Sequence, residues 1–183
     1  MQTEIRPGTI DDWKDIDRIN RAVLPENYDE KMYHALLTSP TTICYVAVTN
    51  NDTNTQASGK NEDMGPEFDD ELDEGFPEKD MREIVGYIIV VLQFDNLKRL
   101  SAHTFSIGIL EEYRRQGIGA RLLGMTEQTI RTKFQAVRSI TLHVRKTNKS
   151  AYKFYCKTGY SRAKVVKKYY QTEDAYLMKK MMI

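Results

Sequence analysis

Two hydrophobic rhythms run along the chain, one of three to four residues and one of two, and their order predicts the elements. Trp13, Ile16, Ile19 and Val23 recur at helical spacing, as in an amphipathic helix with one buried face. Thr9-Ile10-Asp11-Asp12 precedes them as a capping box, with Thr9 at the N-cap and Asp12 in place of the usual Glu. Leu24-Pro25 ends the helix, because the residue before a proline is steered out of helical backbone. A second helix is expected from Asp29 to Leu37, stopping ahead of Pro40. Ile43 to Val48, Ile84 to Leu92 and His103 to Leu110 read as apolar strands, the last two able to pair as a hairpin across residues 93–102. A helical pattern follows from Gly117 to Phe134, turning Ile118, Leu122, Met125, Thr129 and Ile130 inward. Ser139 to Arg145 then alternates, with Ile140, Leu142 and Val144 on one face and Thr141, His143 and Arg145 on the other. Asn148 to Thr158 reads as a short helix closed by Gly159. Val165 to Tyr170 and Ala175 to Lys179 are two last strands joined by a polar turn, and Glu4 to Pro7 supplies a first one. The order predicts one mixed α/β domain over residues 1–183, a mostly antiparallel sheet flanked by helices.

Residues 50–83 follow neither rhythm. They hold 12 Asp or Glu against 3 Lys or Arg, a balance of −9, which leaves 24 basic and 14 acidic residues, or +10, in the remainder of a chain whose net charge is +1. A segment this polar reads as a mobile acidic insertion, tolerated because lengthening a loop costs little; a lid or a partner-binding tail are the functional alternatives. The basic remainder suits an anionic ligand and is compatible with a ribosomal or other nucleic-acid neighbour. With 40% apolar and 29% charged residues, the composition is that of a soluble globular domain. No apolar run approaches the roughly 18 residues of a membrane span. Residues 1–20 carry Glu4, Asp11, Asp12, Asp15 and Asp17 and no apolar h-region, so no signal peptide is expected. The two cysteines, Cys44 and Cys156, point to neither a disulfide framework nor a metal site and are expected as core filler in a reducing, cytoplasmic setting.

Chemistry concentrates first in Tyr113-Arg114-Arg115-Gln116-Gly117-Ile118-Gly119-Ala120, between the strand ending near Leu110 and the helix that follows. Two glycines let a backbone come close to a ligand without a Cβ in the way. The free N–H groups of the first helical turn and the helix dipole favour an anion, and Arg114 and Arg115 add charge. The plain alternative is a helix that uses glycine as a cap. The glycine spacing is not that of a dinucleotide fingerprint.

The run Arg114-x-x-Gly117-x-Gly119 resembles the R/Q-x-x-G-x-G/A signature with which the GNAT superfamily of N-acetyltransferases holds acetyl-CoA. Leu24-Pro25-Glu26-Asn27-Tyr28, Leu142-His143-Val144-Arg145, Asn148 and Lys168-Tyr169-Tyr170 followed by Glu173-Asp174-Ala175-Tyr176 narrow the resemblance. Together they are similar to the catalytic subunits of the protein N-terminal acetyltransferases, the archaeal enzymes most of all, over about residues 4–181 apart from the acidic insertion. The resemblance implies transfer of an acetyl group from acetyl-CoA, a cosubstrate, to the α-amine of protein N-termini or nascent polypeptides by direct attack, with no metal. It also implies possible ribosome proximity, an optional auxiliary subunit and no membrane.

Roles carry over by position. Glu26 matches an acidic catalytic residue, although by position alone it is equally a surface carboxylate. His143 matches a catalytic histidine, and an unperturbed pKa near 6.5 would suit it as the main base. His103 matches a further site histidine, or stands at a strand edge with a solvent partner. Tyr155 matches the proton or hydrogen-bond donor beside the CoA sulfur, while Tyr152 and Phe154 are expected in the core. Arg114, Arg115, Gln116, Gly117, Ile118, Gly119 and Ala120 would cradle the pyrophosphate; Asn148 and the backbone of Ile107, Gly108 and Ile109 would hold the pantetheine arm. Tyr28, Tyr169 and Tyr170 would flank the substrate peptide. Relatives often read Tyr-Tyr-x-Asp-Gly-Glu-Asp-Ala-Tyr where this chain has the shorter Tyr169-Tyr170-Gln171-Thr172-Glu173-Asp174-Ala175-Tyr176, which implies a tighter loop over the groove. An acetyltransferase for lysines or small amines on the same fold, and a non-catalytic acyl-CoA-binding subunit, are the competing readings.

Overall fold

A computed structural model describes residues 3–49, 82–94 and 98–182. Seven strands form one sheet: β1 (Thr3–Pro7), β2 (Thr42–Thr49), β3 (Glu83–Phe94), β4 (Leu100–Ile109), β5 (Ser139–Arg145), β6 (Ser161–Tyr170) and β7 (Glu173–Met181), in the spatial order β1-β2-β3-β4-β5-β7-β6. Every neighbouring pair is antiparallel except β4 and β5. The helices are α1 (Trp13–Val23), α2 (Glu30–Thr38), α3 (Ile118–Lys133) and α4 (Lys149–Lys157). The mixed, mostly antiparallel architecture is the one the rhythms predict. The acidic segment lies outside the described residues up to position 81; its last residue, Glu83, already opens β3.

Local chemistry sets the helix starts. The Asp12 carboxylate accepts from the Thr9 N–H at 2.8 Å and from Arg6 of β1 at 2.7 and 2.8 Å, so the capping box also ties the helix to the sheet. A 3₁₀ turn at Ile10–Asp12 intervenes before α1. Asp29 caps α2 through the Met32 N–H at 2.8 Å, and Asn148 caps α4 through the Ala151 N–H at 2.9 Å. Gly159, at φ 93°, closes α4 with bonds from its own N–H to Cys156 and from Tyr160 to Tyr155.

Helices cover both faces. A side chain at Gly108 would strike Ile19 and Val23 of α1, whereas its neighbour Ile109 touches Gly119 of α3 on the opposite face. Inward from α3 stand Ile118, Leu122, Leu123, Thr126 and Ile130; Met125 and Thr129 are only half-buried. The buried stripe follows the i, i+4 row, which carries Thr126 inward, and Thr129 instead meets Tyr45 of β2 by a 2.6 Å hydrogen bond at the margin. Strand β6 starts four residues before its apolar run, because Ser161-Arg162-Ala163-Lys164 lies on an exposed sheet edge where the pattern of burial is absent. Cys156 is exposed rather than core; Cys44 is half-buried, and burial pushes its thiol up to about 12.

Candidate active site

Two features of β4 create a cleft. The strand carries one extra residue, Phe105, opposite the Ile89–Val90 step, since Ser106 pairs with Ile89 and Thr104 with Val90. The bulge re-aims the strand, so that His103 shares a face with Ser106 and Gly108. On its other side β4 meets β5 only at Ala102↔Ile140 and His103↔Thr141. Beyond that point the two strands part. Leu110 donates to Val85 of β3, so backbone alternation leaves Ile107 and Ile109 facing the open side. The Ile109 carbonyl accepts from Arg114 Nε at 3.0 Å, which ties the turn before α3 to the end of β4.

The gap opens into a cleft of about 480 Å³ whose lining includes Glu26, Tyr28, His103, Ile107, His143, Asn148, Tyr155, Tyr169 and Tyr170. Residues from four parts of the sequence thus meet in one place. The rings of His103 and His143 lie 5.1 Å apart, and His143 stacks on Tyr169 at 3.8 Å. Tyr169 and Tyr170 meet edge to face at 4.8 Å, and Tyr28 packs on Phe105 at 4.9 Å. The connection from Tyr170 to Glu173 is a two-residue turn, Gln171-Thr172, as tight as the shortened motif implies.

Electrostatics follow burial. His143 is driven down to about 4 by burial first, then by the charges of His103 and Lys164. This corrects the expectation of an imidazole titrating near neutrality: His143 stays uncharged throughout the neutral range. Burial also lowers His103, which is not at a solvent-facing strand edge but inside β4, bonded to Thr141. Tyr155 is buried, and burial raises its pKa, so its hydroxyl holds its proton and is available as a donor. Tyr152 and Phe154 are partly buried against the core.

Glu26 is not a free carboxylate. It pairs with Arg145, whose other nitrogen donates to Glu173 Oε2 at 3.1 Å and whose guanidinium lies 3.9 Å over the Tyr170 ring. Arg145 therefore clasps the two walls of the cleft, the loop after α1 and the β6–β7 turn. The backbone of the first wall is held from below. Asn20 Nδ2 donates to the Glu26 carbonyl at 2.5 Å, and Asn20 Oδ1 accepts from the Tyr87 hydroxyl at 2.6 Å. Arg145, Thr141 and Asn20 were not among the expected site residues. The signal for the first two was present, since both share the alternating face of His143; nothing in the sequence distinguished Asn20 from a core polar residue.

The Arg114–Ala120 turn does not line the cleft. It sits at the far end of the open β4 edge, joined to the cleft by Ile109 and by Phe154 beside Tyr155. Arg115 and Gly117 both take positive φ, 64° and 80°, and no side chain caps α3; alternating backbone of this kind makes a concave nest of N–H groups. The two glycines differ. A Cβ at Gly117 would meet nothing within 4 Å, so there the backbone conformation demands glycine. A Cβ at Gly119 would meet Phe154 at 3.1 Å and Ile109 at 3.2 Å, so packing within the chain itself demands a small residue there. Gly119 lets α3 pack against α4 and β4. Asn148 lines the cleft, and its side-chain carbonyl accepts the Ala151 N–H that caps α4. Among the described residues no group of three or more His, Cys, Asp or Glu could hold a metal ion, and no helix is long and apolar enough to cross a membrane.

A sequence profile for the acetyltransferase (GNAT) family matches residues 52–160. Over 182 residues, the chain is 31% identical to an N-alpha-acetyltransferase of Saccharolobus solfataricus, covering 95% of this chain and 90% of that relative. It is 28% identical to the N-terminal acetyltransferase A complex catalytic subunit NAA10 of Arabidopsis thaliana, over 96% of this chain and 76% of that one. Its fold matches the crystal structure of Arabidopsis thaliana NAA60 in complex with a bisubstrate analogue, with a TM-score of 0.76, 16% identity and 100% of each chain covered.

Proposed function

The chain belongs to the acetyltransferase (GNAT) family, and we propose that it moves the acetyl group of acetyl-CoA onto the α-amine of protein N-termini by direct attack within a ternary complex. The observation that carries this reading is the parting of β4 and β5 after a single run of pairing, with two neutral histidines and a buried tyrosine on the walls of the gap. An open strand edge, an uncapped helix start and a nest of N–H groups beside exposed arginines suit an extended, anionic cosubstrate.

Acetyl-CoA supplies the activated acyl carbonyl. The chain's own residues handle the amine and the protons. An α-amine has a pKa near 8, so part of it is neutral at physiological pH and needs only a weak acceptor as it attacks. His103 and His143, both kept uncharged by burial, are such acceptors, directly or through water. Tyr155, always protonated, donates a hydrogen bond to the departing sulfur. Glu26, committed to Arg145, orients the wall rather than taking the proton. Tyr28, Tyr169 and Tyr170 narrow the mouth to a chain end and offer hydroxyls to peptide groups. Action in the cytoplasm on nascent chains near the ribosome, with or without an auxiliary subunit, completes the proposal; the plant relative is named as the catalytic subunit of a complex.

The test is acetyl-CoA turnover on matched short peptides. Peptides with a free N-terminus should be acetylated, and peptides with a blocked N-terminus and an internal lysine should not. Preferential turnover of the blocked, lysine-bearing peptides would overturn the assignment.

A further inference from the structure

One hydroxyl carries an assignment that no motif contains. Thr141 Oγ1 lies 3.2 Å from the carbonyl oxygen of Ala102 and 2.9 Å from Nδ1 of His103. A carbonyl can only accept, and a threonine hydroxyl has a single proton. Both bonds form together only when that proton points to Ala102 and the His103 Nδ1–H donates to Oγ1. The arrangement rests on rigid backbone. Ala102↔Ile140 and His103↔Thr141 are the pairs that join β4 to β5, so the ladder itself sets both distances at the apex of the gap.

The second ring nitrogen of His103, Nε2, makes no hydrogen bond to any described residue, and the ring lines the cleft. With Nδ1 protonated, Nε2 holds a bare lone pair. His143 offers a contrast. Its Nδ1 is buried with no hydrogen-bond partner, and its ring lies flat on Tyr169, so no hydrogen bond on that nitrogen selects a tautomer.

We propose that Thr141 is a positioning residue that fixes His103 as the Nδ1–H tautomer and thereby makes His103 Nε2, not His143, the proton acceptor for the attacking amine. In that step the amine nitrogen bonds to the acetyl carbon as the carbonyl π pair moves onto oxygen and the amine proton passes to Nε2, directly or across one water. Collapse of the oxyanion then breaks the C–S bond, and coenzyme A leaves as a thiolate that takes up a proton. The proposal rests on the acetyltransferase reading above, and its first readout is independent of it.

That readout is the ¹⁵N resonance pattern of the histidine rings in the intact chain, compared among wild type, Thr141→Val and Thr141→Ser. Wild type and Thr141→Ser should show His103 protonated on Nδ1 and bare on Nε2. Thr141→Val, which keeps the shape and removes the acceptor, should move the proton toward Nε2. In kinetics, Thr141→Val should lower kcat by about ten-fold or more with peptide KM unchanged, and Thr141→Ser should return kcat to within about two-fold of wild type, as expected when a general base is disarmed and restored. A wild-type His103 protonated on Nε2 would overturn the proposal on its own, whether or not the valine variant folds. A tautomer change in Thr141→Val with kcat intact would equally overturn the base assignment. A wild type that shows the Nδ1–H tautomer yet acetylates no peptide N-terminus would instead overturn the functional reading.

Discussion

The two ends of the open β4 edge rest on different physics. The turn before α3 is short in sequence and wet. Arg114, Arg115, Gln116 and Gly117 are exposed, two of them sit at positive φ, and the shape they make is a property of four consecutive peptide units. The cleft at the other end is assembled from the α1–α2 loop, β4, β5, α4 and β6, and its chemistry comes from burial. Burial pushes His143 down to about 4 and Tyr155 up, holding the imidazole neutral and the phenol protonated. An end that binds charge can be local and solvated, because backbone dipoles and arginines act in water. An end that moves protons needs dry walls, and dry walls need distant segments to meet.

The largest effect expected from breaking this division falls at the cleft. Tyr155→Phe removes one hydroxyl and little volume, so kcat should fall by about 100-fold while acetyl-CoA affinity stays within about two-fold, the range expected for loss of a proton or hydrogen-bond donor. Stopped-flow turnover beside calorimetric titration separates the two quantities, and an affinity loss matching the kcat loss would show that the two ends are not independent.

A middle-sized effect is expected at the turn, where the two glycines should fail differently. Gly117→Val has open space but must hold a valine at φ 80°, a strain of about 1–3 kcal/mol; it should weaken acetyl-CoA binding about ten-fold and leave kcat at saturation near wild type. Gly119→Val crowds Phe154 and Ile109, so it should also lower the folding free energy by about 1–3 kcal/mol, the usual cost of overpacking. Thermal melts against wild type check this; a Gly119→Val variant as stable as wild type would mean that Gly119 has no packing role.

The smallest effect is visible only in acid. A folded-state pKa of about 4 for His143 against an ordinary 6.5 means that, between those values, the unfolded chain binds a proton that the folded chain refuses. Stability should therefore be full above about pH 6.5 and decline as pH falls toward about 4. Urea denaturation at pH 7.5 and pH 4.5 should show a smaller decline in His143→Gln than in wild type. An identical decline would place the acid sensitivity elsewhere.

Periodicity by itself determined the elements and their order, because burial of one face imposes a rhythm of 3.6 or 2 on any helix or strand. The capping box at Thr9 and the closing Gly159 were legible, and Asp29 and Asn148 were legible as helix starts, because the chemistry involves only the next few residues. The glycine turn before α3 was legible too, although its left-handed backbone at Gly117 was not. The polar start of β6 was not, since an edge strand exposed on both faces carries no rhythm. Only the tertiary structure decided that Gly119 serves packing, that Glu26 is held by Arg145, and that His143 is too buried to titrate near neutrality. The partnership of His103 with Thr141, 38 positions away, has the same origin. These are properties of pairs, set by which segments the sheet brings within a few ångströms and how much water it removes from between them, and a linear sequence specifies them only through the fold.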